Sequence, residues 1–477
     1  MARTLALDRA SDFLNSGRFV NDLTRRVAIP SVSQDPACSA QLDRYLREIA
    51  QSVEPLGFTS TFYQNPVEGG GPLLLSHYCE DAALPTLLCY GHGDVVTGLD
   101  AHWSAGLTPW QLRVEGERIY GRGSADNKGQ HTVLLLALEA VHKQRRGKLG
   151  YNVKLLIDMS EEVGSAGLLE FCQANKQLLA ADILISSDGP RLSADQPTLY
   201  LGTRGVYSFD LVCDLRSSGH HSGNWGGLIA NPCVLLSHAI ATLVASSGRI
   251  EVRDLVPQQI PASVRSALAN CRVDAGPGGP VVDEWWGEPE LSAAERVFGW
   301  NALEVLSLKA GNAGPPVNAI PARAVAHCQI RYTVDVPAEN FLPAIQLALH
   351  RAGLNCVQAV DASERGAMVP TRLDPAHPAA VWARDSLQRT LGREPSVVPN
   401  AGGSLPNECF AIELGLPTVW VPHSYPACRQ HAGDEHLLRP LVDEGLRIMA
   451  GLFWDLNGYF LTARPAHQTS IASVRYP

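Results

Sequence analysis

Histidine and acidic side chains stand at five points along this chain of 477 residues, mostly where apolar runs end. Imidazole nitrogens and carboxylate oxygens, without thiolates, suit zinc and also tolerate manganese or cobalt. We therefore take these points together as a predicted metal site for hydrolytic chemistry. The residues are His92, Asp94, Asp126, Glu161, Glu162, Asp188 and His431.

The segment GHGD (residues 91–94) directly follows the apolar run LLCY. Residues two apart on an extended chain face the same way, so Asp94 can accept a hydrogen bond from one nitrogen of His92. The other nitrogen of His92 is then free to bind a metal. An isolated His-x-Asp is more often an ordinary loop histidine, and only the other acidic segments favour a metal site here.

Asp126 stands in the glycine-rich loop YGRGSADNKG, directly before a helix predicted to begin at Lys128. Helix capping is one interpretation of this aspartate. A carboxylate has two oxygens, however, and can equally bridge two cations.

Glu161 and Glu162 are adjacent and follow the apolar run VKLLI (residues 153–157). Adjacent carboxylates repel each other, and such a pair usually lies in a solvated loop. If one of the two binds metal, the other is left free to handle a proton beside the same ion.

Asp188, in SSDG, ends another apolar run, and His431, in HAGDE, follows a polar loop. Asp188 alone indicates only a turn. The five segments together supply two histidines and three carboxylates as ligands, with Glu161 left over.

Composition limits the partners and the compartment. The net charge is −9, the sequence pI is about 5.9, and no long run of Lys and Arg is present, which argues against a nucleic-acid partner.

The first residues lack a secretory signal pattern, and the longest apolar run, around residues 133–138, is too short to cross a bilayer. The 11 cysteines include no Cys-x-x-Cys pair and predict neither disulfides nor a thiolate zinc site. We expect a cytoplasmic protein that has no membrane segment.

The scaffold around these residues is predicted from the apolar patterns. Runs at residues 84–90, 153–157 and 183–186 predict buried strands, and residues 128–143 predict a helix. Alternation of this kind predicts an α/β fold with a mainly parallel sheet, which places ligands at the carboxyl ends of its strands.

The pattern changes between about residues 205 and 360. Two alternating strands, at 206–215 and 324–334, and two helices, at 232–245 and 338–352, predict an α+β insertion. The α/β pattern returns after about residue 375. We therefore predict a discontinuous domain of residues 1–204 and 366–477, interrupted by a second domain of residues 205–365.

With these segments the chain resembles the M20 family of metallopeptidases, which includes carnosine-type dipeptidases, carboxypeptidase G2-like enzymes, aminoacylases and succinyl-diaminopimelate desuccinylases. The resemblance covers nearly the whole chain, and the motifs follow the family's order. They are GHGDVV, YGRGSADNKG, SEEVGS, SSDG, HHSG, NAIPARA, QIRYTV, GGSLP and HAGDE. The segments YLGTRG and DEWW look most like the dipeptidase and carboxypeptidase branch. The resemblance implies a zinc-exopeptidase-like catalytic domain interrupted by a ferredoxin-like lid that also forms a homodimer.

The resemblance also implies roles for the metal ligands. Asp126 would bridge two divalent metal ions, with zinc expected and manganese or cobalt as alternatives. His92 and Asp188 would complete one metal site, and Glu162 and His431 the other.

Two further side chains receive catalytic roles from the resemblance. Asp94 would orient His92. Glu161 would act as general base and acid: it would take a proton from a metal-bound water, the nucleophile, and pass it to the leaving amine.

The resemblance names substrate-binding residues as well, which are His221, Asn318, Arg331, Gly403 and Ser404. His221 would reach the active site of the partner subunit and stabilise the oxyanion. Its neighbour His220 leaves the choice between the two histidines open. Arg331 would bind a carboxylate through paired hydrogen bonds, so the substrate is expected to carry a free carboxylate.

The predicted activity is hydrolysis of the amide bond of a dipeptide or of a C-terminal residue. An N-acyl or N-succinyl amino acid, or an aryl amine removed as ammonia, is the alternative on the same scaffold, because activated water can attack each of them. A non-catalytic receptor is disfavoured because all five ligands and Glu161 are present. A serine hydrolase is disfavoured because no Gly-x-Ser-x-Gly segment occurs.

Overall fold

The computed structural model describes residues 1–462, except residues 275, 277, 278, 312, 313, 316, 366 and 404. The chain folds into two compact units. The first unit contains Met1–Leu199, Ala376–Pro395 and the described residues from Glu413 onward. The second unit contains Tyr200–Pro375 and Ser396–Ile412.

Helices and strands are named here in chain order. The helices of the described residues are α1 (Ala2–Asn15), α2 (Arg18–Val27), α3 (Ser39–Val53), α4 (Lys128–Gln144), α5 (Leu168–Ala174), α6 (Lys176–Leu179), α7 (Ser222–Trp225), α8 (Pro232–Leu243), α9 (Ala262–Leu268), α10 (Ala293–Phe298), α11 (Phe341–Arg351), α12 (Pro378–Leu391) and α13 (Arg439–Thr462). The strands are β1 (Thr59–Tyr63), β2 (Leu73–Tyr78), β3 (Thr86–His92), β4 (Arg113–Glu115), β5 (Arg118–Tyr120), β6 (Asn152–Asp158), β7 (Ile183–Ser186), β8 (Thr198–Tyr200), β9 (Gly202–Thr203), β10 (Gly205–Asp214), β11 (His220–His221), β12 (Ala302–Ala310), β13 (Ala319–Ile320), β14 (Arg323–Tyr332), β15 (Val357–Asp361), β16 (Thr371–Arg372), β17 (Ser396–Val398), β18 (Thr418–Trp420) and β19 (His436–Leu438).

The main sheet of the first unit has the strand order β1-β2-β6-β3-β7-β18-β8. β6, β3, β7 and β18 are parallel to one another, whereas β1 and β2 are added antiparallel at one edge. The predicted α/β fold with a mainly parallel sheet is therefore confirmed. Because neighbouring parallel strands end on the same side, the residues that follow β3, β6 and β7 are gathered at one edge of the sheet.

α4 lies in the core of the first unit, where it packs with α1, α2 and α13. Its residues from Lys128 to Val141 are all buried. Gly129 allows the helix to approach the preceding loop, because a Cβ at this position would lie 1.9 Å from the carbonyl oxygen of Ser124. The close packing fixes the loop that leads into α4, which contains Asp126.

The second unit contains a four-stranded antiparallel sheet with the order β12-β14-β10-β15. α8 contacts β10 and β14, and α11 contacts β15 and α8. The chain order β10-α8-β12-β14-α11-β15, with this strand order, is the ferredoxin-like arrangement of two β-α-β halves. The predicted ferredoxin-like insertion is thus found in the second unit.

The boundaries of the second unit differ from the predicted inserted domain. It begins at Tyr200 rather than residue 205, and it also includes Ser396–Ile412. Hydrogen bonds explain the additional segment, because Ala401 donates to the oxygen of Gly202 at 2.7 Å and accepts from the nitrogen of Arg204 at 3.1 Å. The glycines at 402 and 403 therefore belong to the second unit.

Two predictions from composition concern the whole chain. All 11 cysteines are free thiols, as expected from the absence of paired Cys motifs. Among the helices of the described residues, none has both the length and the apolar character needed to cross a membrane.

Candidate metal centre

His92 is the last residue of β3, so its imidazole lies at the carboxyl end of a buried strand. Nδ1 of His92 donates to the backbone oxygen of Asp94 at 3.2 Å and lies 3.4 Å from Oδ1 of the same residue. Both side chains are fully buried. Because Nδ1 is engaged in this way, Nε2 is the nitrogen left to bind a metal.

Asp94 also holds the segment that carries the two glutamates. Its Oδ1 accepts from the backbone nitrogen of Glu161 at 3.2 Å, and its Oδ2 from that of Glu162 at 3.1 Å. Glu161–Val163 form a 3-10 turn. Consecutive side chains of such a turn point about 120° apart, so the two glutamates face different surroundings.

Asp126 lies between β5 and α4, and its two oxygens face different histidines. Oδ1 accepts from Nε2 of His92 at 3.1 Å, and Oδ2 accepts from Nε2 of His431 at 3.0 Å. The helix-capping interpretation is wrong, because the residue that precedes α4 is Asn127. The two oxygens of Asp126 therefore face different sides, as a carboxylate that bridges two cations would require.

Asp188 follows β7 and is buried. Its Oδ1 accepts from the backbone nitrogen of Gly189 at 2.6 Å. Its Oδ2 is buried without a hydrogen-bond partner among the described residues and lies 3.8 Å from Nε2 of His92. A buried carboxylate oxygen without a partner costs free energy, and a bound cation would remove this cost.

His431 lies in the loop between β18 and β19. Arg429, His431 and Asp434 all have positive φ angles, of 61°, 58° and 62°. Residues other than glycine adopt this region at a cost, so contacts around the loop must hold it. Asp434 provides such contacts, because its carboxylate accepts hydrogen bonds of 2.7 Å from both the nitrogen and Oγ of Ser104. In this conformation, Nε2 of His431 lies 3.0 Å from Oε2 of Glu162.

The side chains form two groups that could each hold a metal ion. In each group, the candidate ligand atoms all lie within 4.8 Å of one another. The groups are His92 with Asp126 and Asp188, and Asp126 with Glu162 and His431. The five residues predicted as ligands therefore meet in the first unit, and Asp126 belongs to both groups.

Glu161 lies beside these groups and belongs to neither of them. Its Oε2 is 3.9 Å from Nε2 of His92, and its side chain is 21% exposed. Burial, with the charges of Asp188 and Asp126, raises the pKa of Glu161 well above its ordinary value, although His92 opposes this. A carboxylate with a raised pKa can accept and release a proton near neutral pH.

The pKa values of Asp188 and Asp126 are shifted in opposite directions by their neighbours. Burial and the charge of Asp126 raise the pKa of Asp188 to about 6 against the opposing effect of His92. Burial would also raise the pKa of Asp126, but hydrogen bonds from His431 and His92 hold it well below its ordinary value.

The two imidazoles are stabilised in their protonated form. Burial alone would lower the pKa of His92, but the carboxylates around it, Glu161 foremost, raise it well above the ordinary value. Hydrogen bonds to Asp126 and Glu162 raise the pKa of His431 to about 10. Both shifts arise from the carboxylates that lie close to the imidazoles.

Three side chains that the sequence patterns did not single out also support the centre. Asn127 donates to the backbone oxygen of Ser187 at 2.8 Å and so connects the segments that carry Asp126 and Asp188. Gln430 donates to Oδ2 of Asp126 at 3.1 Å. Glu435 accepts hydrogen bonds from the loop before Asp126. Asn127 and Glu435 lie inside the motifs YGRGSADNKG and HAGDE, which is the only signal that the sequence offers for them.

Four of the predicted substrate-binding residues lie in the second unit, namely His221, Asn318, Arg331 and Gly403. The fifth, Ser404, lies outside the described residues. His221 and Asn318 are neighbours, because the nitrogen of Ser222 donates to the oxygen of Asn318 at 2.9 Å. Nδ1 of His221 accepts from the nitrogen of Gly223 at 3.2 Å, whereas the ring of His220 lies 5.8 Å from that of Trp225.

Arg331 lies near the last residue of β14 and is half-buried, and its Nε donates to Gln329 at 3.1 Å. Asn318 precedes the first residue of the same strand. Arg323 and Arg331 are separated by roughly 26 Å along an extended strand that rises about 3.3 Å per residue. Asp214, the last residue of β10, pairs with Arg323, so His221 and Asn318 connect along the chain to the end of the sheet opposite Arg331. Gly403 is exposed, and a Cβ there would meet no atom within 4 Å.

Comparison with known proteins places the chain among metallopeptidases. A sequence model of peptidase family M20/M25/M40 matches residues 88–455. Beta-Ala-His dipeptidase of Homo sapiens is 30% identical in an alignment of 470 positions. The alignment covers 93% of this chain and 91% of that protein. Cys-Gly metallodipeptidase DUG1 of Candida albicans is 31% identical over 246 residues, 49% of this chain and 50% of that protein. Several of the matched curated relatives are thus covered over only about half of their length.

A solved structure of the dipeptidase Dug1p from Saccharomyces cerevisiae has the same fold. It superposes with a TM-score of 0.73 and 21% sequence identity, over 97% of this chain and 100% of that one.

Proton release on metal binding tests the charge arrangement. A divalent metal must displace the protons of His92 and His431, because both imidazoles are held protonated at neutral pH. Calorimetric titration of the metal-stripped protein with Zn²⁺ at pH 7.5 should therefore release protons, and the apparent affinity should rise with pH by about tenfold per unit for each proton displaced. In His431→Ala the number of released protons should fall by about one. Binding enthalpies that do not depend on the ionisation enthalpy of the buffer would contradict this arrangement.

Proposed function

Because this chain belongs to peptidase family M20/M25/M40, we propose that it hydrolyses the amide bond of a dipeptide with the help of two divalent metal ions, zinc in the first place. The observation that carries the proposal is the division of the oxygens of Asp126 between two groups of ligands. Relatives named as dipeptidases support the substrate class. The eleven free thiols are compatible with the reducing cytoplasm that we expect for the protein.

The proposed ligands fall into two sets around the bridging Asp126. His92 and Asp188 would hold the first metal ion, and Glu162 and His431 would hold the second. Nitrogen and oxygen ligands without thiolates suit zinc, and they also accept manganese and cobalt. The buried Oδ2 of Asp188, which lacks a hydrogen-bond partner among the described residues, supports the first set.

When bound, the metal ions supply Lewis-acid chemistry: they lower the pKa of water and polarise the carbonyl group of the substrate. Glu161 is the proposed proton carrier, because it lies beside both ligand groups without belonging to either. Its raised pKa allows it to accept a proton from water and to donate it to the departing amine. Asp94 fixes the backbone of Glu161 and the ring of His92, and so it sets their relative position.

Arg331 is proposed to bind the carboxylate of the substrate. A guanidinium forms paired hydrogen bonds with a carboxylate, and the side chain of Arg331 is only half-buried. His221 and Asn318 are proposed to act on the other side of the substrate, and Gly403 and Ser404 to line it. These assignments follow the family resemblance.

A homodimer is proposed because the predicted substrate-binding residues are divided between the two ends of β14. The length of β14 separates His221 and Asn318 from Arg331, whereas an extended dipeptide spans only about 7 Å. A second copy of the chain can supply His221 and Asn318 to a site whose Arg331 comes from the first.

β12 offers a surface for this pairing. Within the described part of the chain it is an edge strand that pairs only with β14. Its residues Leu306 and Leu308 are each 56% exposed. Exposed edge strands with apolar side chains readily pair with another chain.

Metal removal and a substrate panel test the activity. Excess chelator should abolish turnover, because the metal ions supply the Lewis acid, and Zn²⁺, Mn²⁺ or Co²⁺ should restore it. The restored enzyme should cleave dipeptides with higher kcat/KM than N-acetyl or N-succinyl amino acids, measured by amine release. Full activity in chelator would overturn the metal-dependent mechanism, and a preference for N-acyl substrates would favour an amidohydrolase instead.

Glu161→Gln tests the proton carrier. This change removes the group that moves the proton but none of the proposed ligands, so kcat should fall by about 10²- to 10⁴-fold. Metal content, measured by atomic emission, should stay at the wild-type value. Glu170→Gln removes the same charge from an exposed position on α5 and serves as the control. Unchanged kcat in Glu161→Gln would exclude this role.

Leu308→Asp tests the homodimer. A charge on the exposed edge of β12 should disfavour strand pairing, so sedimentation should show a shift from dimer to monomer, with loss of activity. Leu5→Asp, which changes a leucine 50% exposed on α1, should leave the sedimentation coefficient unchanged. A wild-type protein that sediments as a monomer at assay concentrations would contradict the proposal.

A further inference from the structure

The carboxylate of Glu435 is bonded to the loop that carries Asp126. Oε1 of Glu435 accepts from the backbone nitrogens of Ala125 at 2.8 Å and Asp126 at 3.1 Å. Oε2 accepts from NH1 of Arg122 at 2.6 Å and from the nitrogen of Gly123 at 3.1 Å. Four donors of one short loop therefore converge on one carboxylate.

Glu435 and Arg122 form a deeply buried ion pair, with each side chain only 1% exposed. Burial of a single charge of either sign would be strongly unfavourable, but the paired charges and their hydrogen bonds offset this cost. Arg122 is held in turn by the backbone oxygen of Thr97, to which its Nε donates at 3.1 Å. The position of the Glu435 carboxylate is therefore fixed by the loop nitrogens at one oxygen and by Arg122 and Gly123 at the other.

Glu435 lies four residues after His431 in the same loop. Through its hydrogen bonds it connects the backbone of the His431 loop to that of the Asp126 loop. His431 and Asp126 both belong to the second group of candidate ligands. The separation of these two ligands thus depends on a side chain that lies in neither group.

We propose that Glu435 is a positioning residue that sets the distance between Asp126 and His431 and thereby tunes the affinity of the second metal site. The proposal rests on the dinuclear centre proposed above. Asp94 has the same relation to Glu161 and Glu162, whose backbone nitrogens it binds. Glu435 contributes through the ligands and does not contact the substrate.

Replacement of Glu435 by glutamine tests the proposal. A glutamine amide has one oxygen, so its NH₂ group must face either the nitrogens of Ala125 and Asp126 or those of Arg122 and Gly123. At least two of the four hydrogen bonds are lost, because the NH₂ group of the glutamine then faces N–H groups of the loop or of Arg122. Loss of an outer partner of a ligand typically lowers metal affinity by about 10- to 100-fold. The first metal site should change less, because β3 and β7 place His92 and Asp188.

The experiment uses the full chain, stripped of metal and titrated with Co²⁺ while heat and the visible absorption of the bound ion are recorded. Wild type should bind two ions per chain. Glu435→Gln should weaken the second binding event by about 10- to 100-fold and alter the Co²⁺ spectrum of that step. Glu80→Gln is the matched control: the carboxylate of Glu80 also accepts from two backbone nitrogens, those of Leu149 and Gly150, but it lies outside both ligand groups, and the variant should keep both events.

The outcomes separate this proposal from the proposed function. Fewer than two bound ions in wild type would contradict the dinuclear centre itself. If wild type binds two ions and the second affinity is unchanged in Glu435→Gln, the proposed role of Glu435 is refuted. An equal loss of affinity in Glu80→Gln would refute it as well. If Glu435→Gln does not fold, the double variant Arg122→Met/Glu435→Gln leaves no buried charge unpaired. The same weakened second event is expected there, and retention of the wild-type affinity would refute the proposal.

Discussion

Four carboxylates converge in a small volume of the first unit, and their mutual repulsion is the constraint on which the site depends. They belong to Asp126, Glu161, Glu162 and Asp188. Like charges this close cannot all be ionised in a buried site unless cations lie between them. Divalent ions held between these carboxylates would supply this positive charge. Burial, together with the charges of Asp188 and Asp126, raises the pKa of Glu161, and Oδ2 of Asp188 has no hydrogen-bond partner among the described residues.

The fold can hold these carboxylates close together because each candidate ligand is positioned by a different strand or loop, and each of these elements has its own stabilising contacts. β3 ends at His92, and Asp188 follows β7 in the same parallel sheet. The loop of Asp126 is fixed by the close packing of Gly129 in α4. The contacts of Asp434 with Ser104 hold the His431 loop in a left-handed backbone conformation. Non-ligand carboxylates contribute in the same way, since Asp94 accepts hydrogen bonds from the backbone of the glutamate segment.

The second unit has the opposite character, because its residues of interest are spread over the length of a sheet. His221 and Asn318 lie before β14, and Arg331 lies near its far end. The proposed homodimer would let a small substrate contact residues from both ends. In the second unit, Leu306 and Leu308 of β12 are exposed, and the unit contains none of the five candidate metal ligands.

The sequence by itself determined the type of fold and the chemistry of the centre. Apolar runs predicted β3, β6 and β7 closely, since a strand buried on both faces must be continuously apolar. The candidate ligands were identifiable because metal chemistry restricts their residue types and because each lies within a recognisable motif. β12 was not predicted, since most of its residues are exposed and its pattern is irregular around the bulge near Leu306.

Only the tertiary structure decided which groups come into contact. Glu435 and Gln430 carry no signal of their own, because a hydrogen bond to a loop some 300 residues away leaves no periodic trace in the chain. The same reason explains why residues 396–412 join the second unit, through backbone bonds of Ala401 to Gly202 and Arg204. Residue type fixes which atoms can bind a cation, whereas distance in space fixes which of them do so together, and that distance arises only when the sheet is assembled.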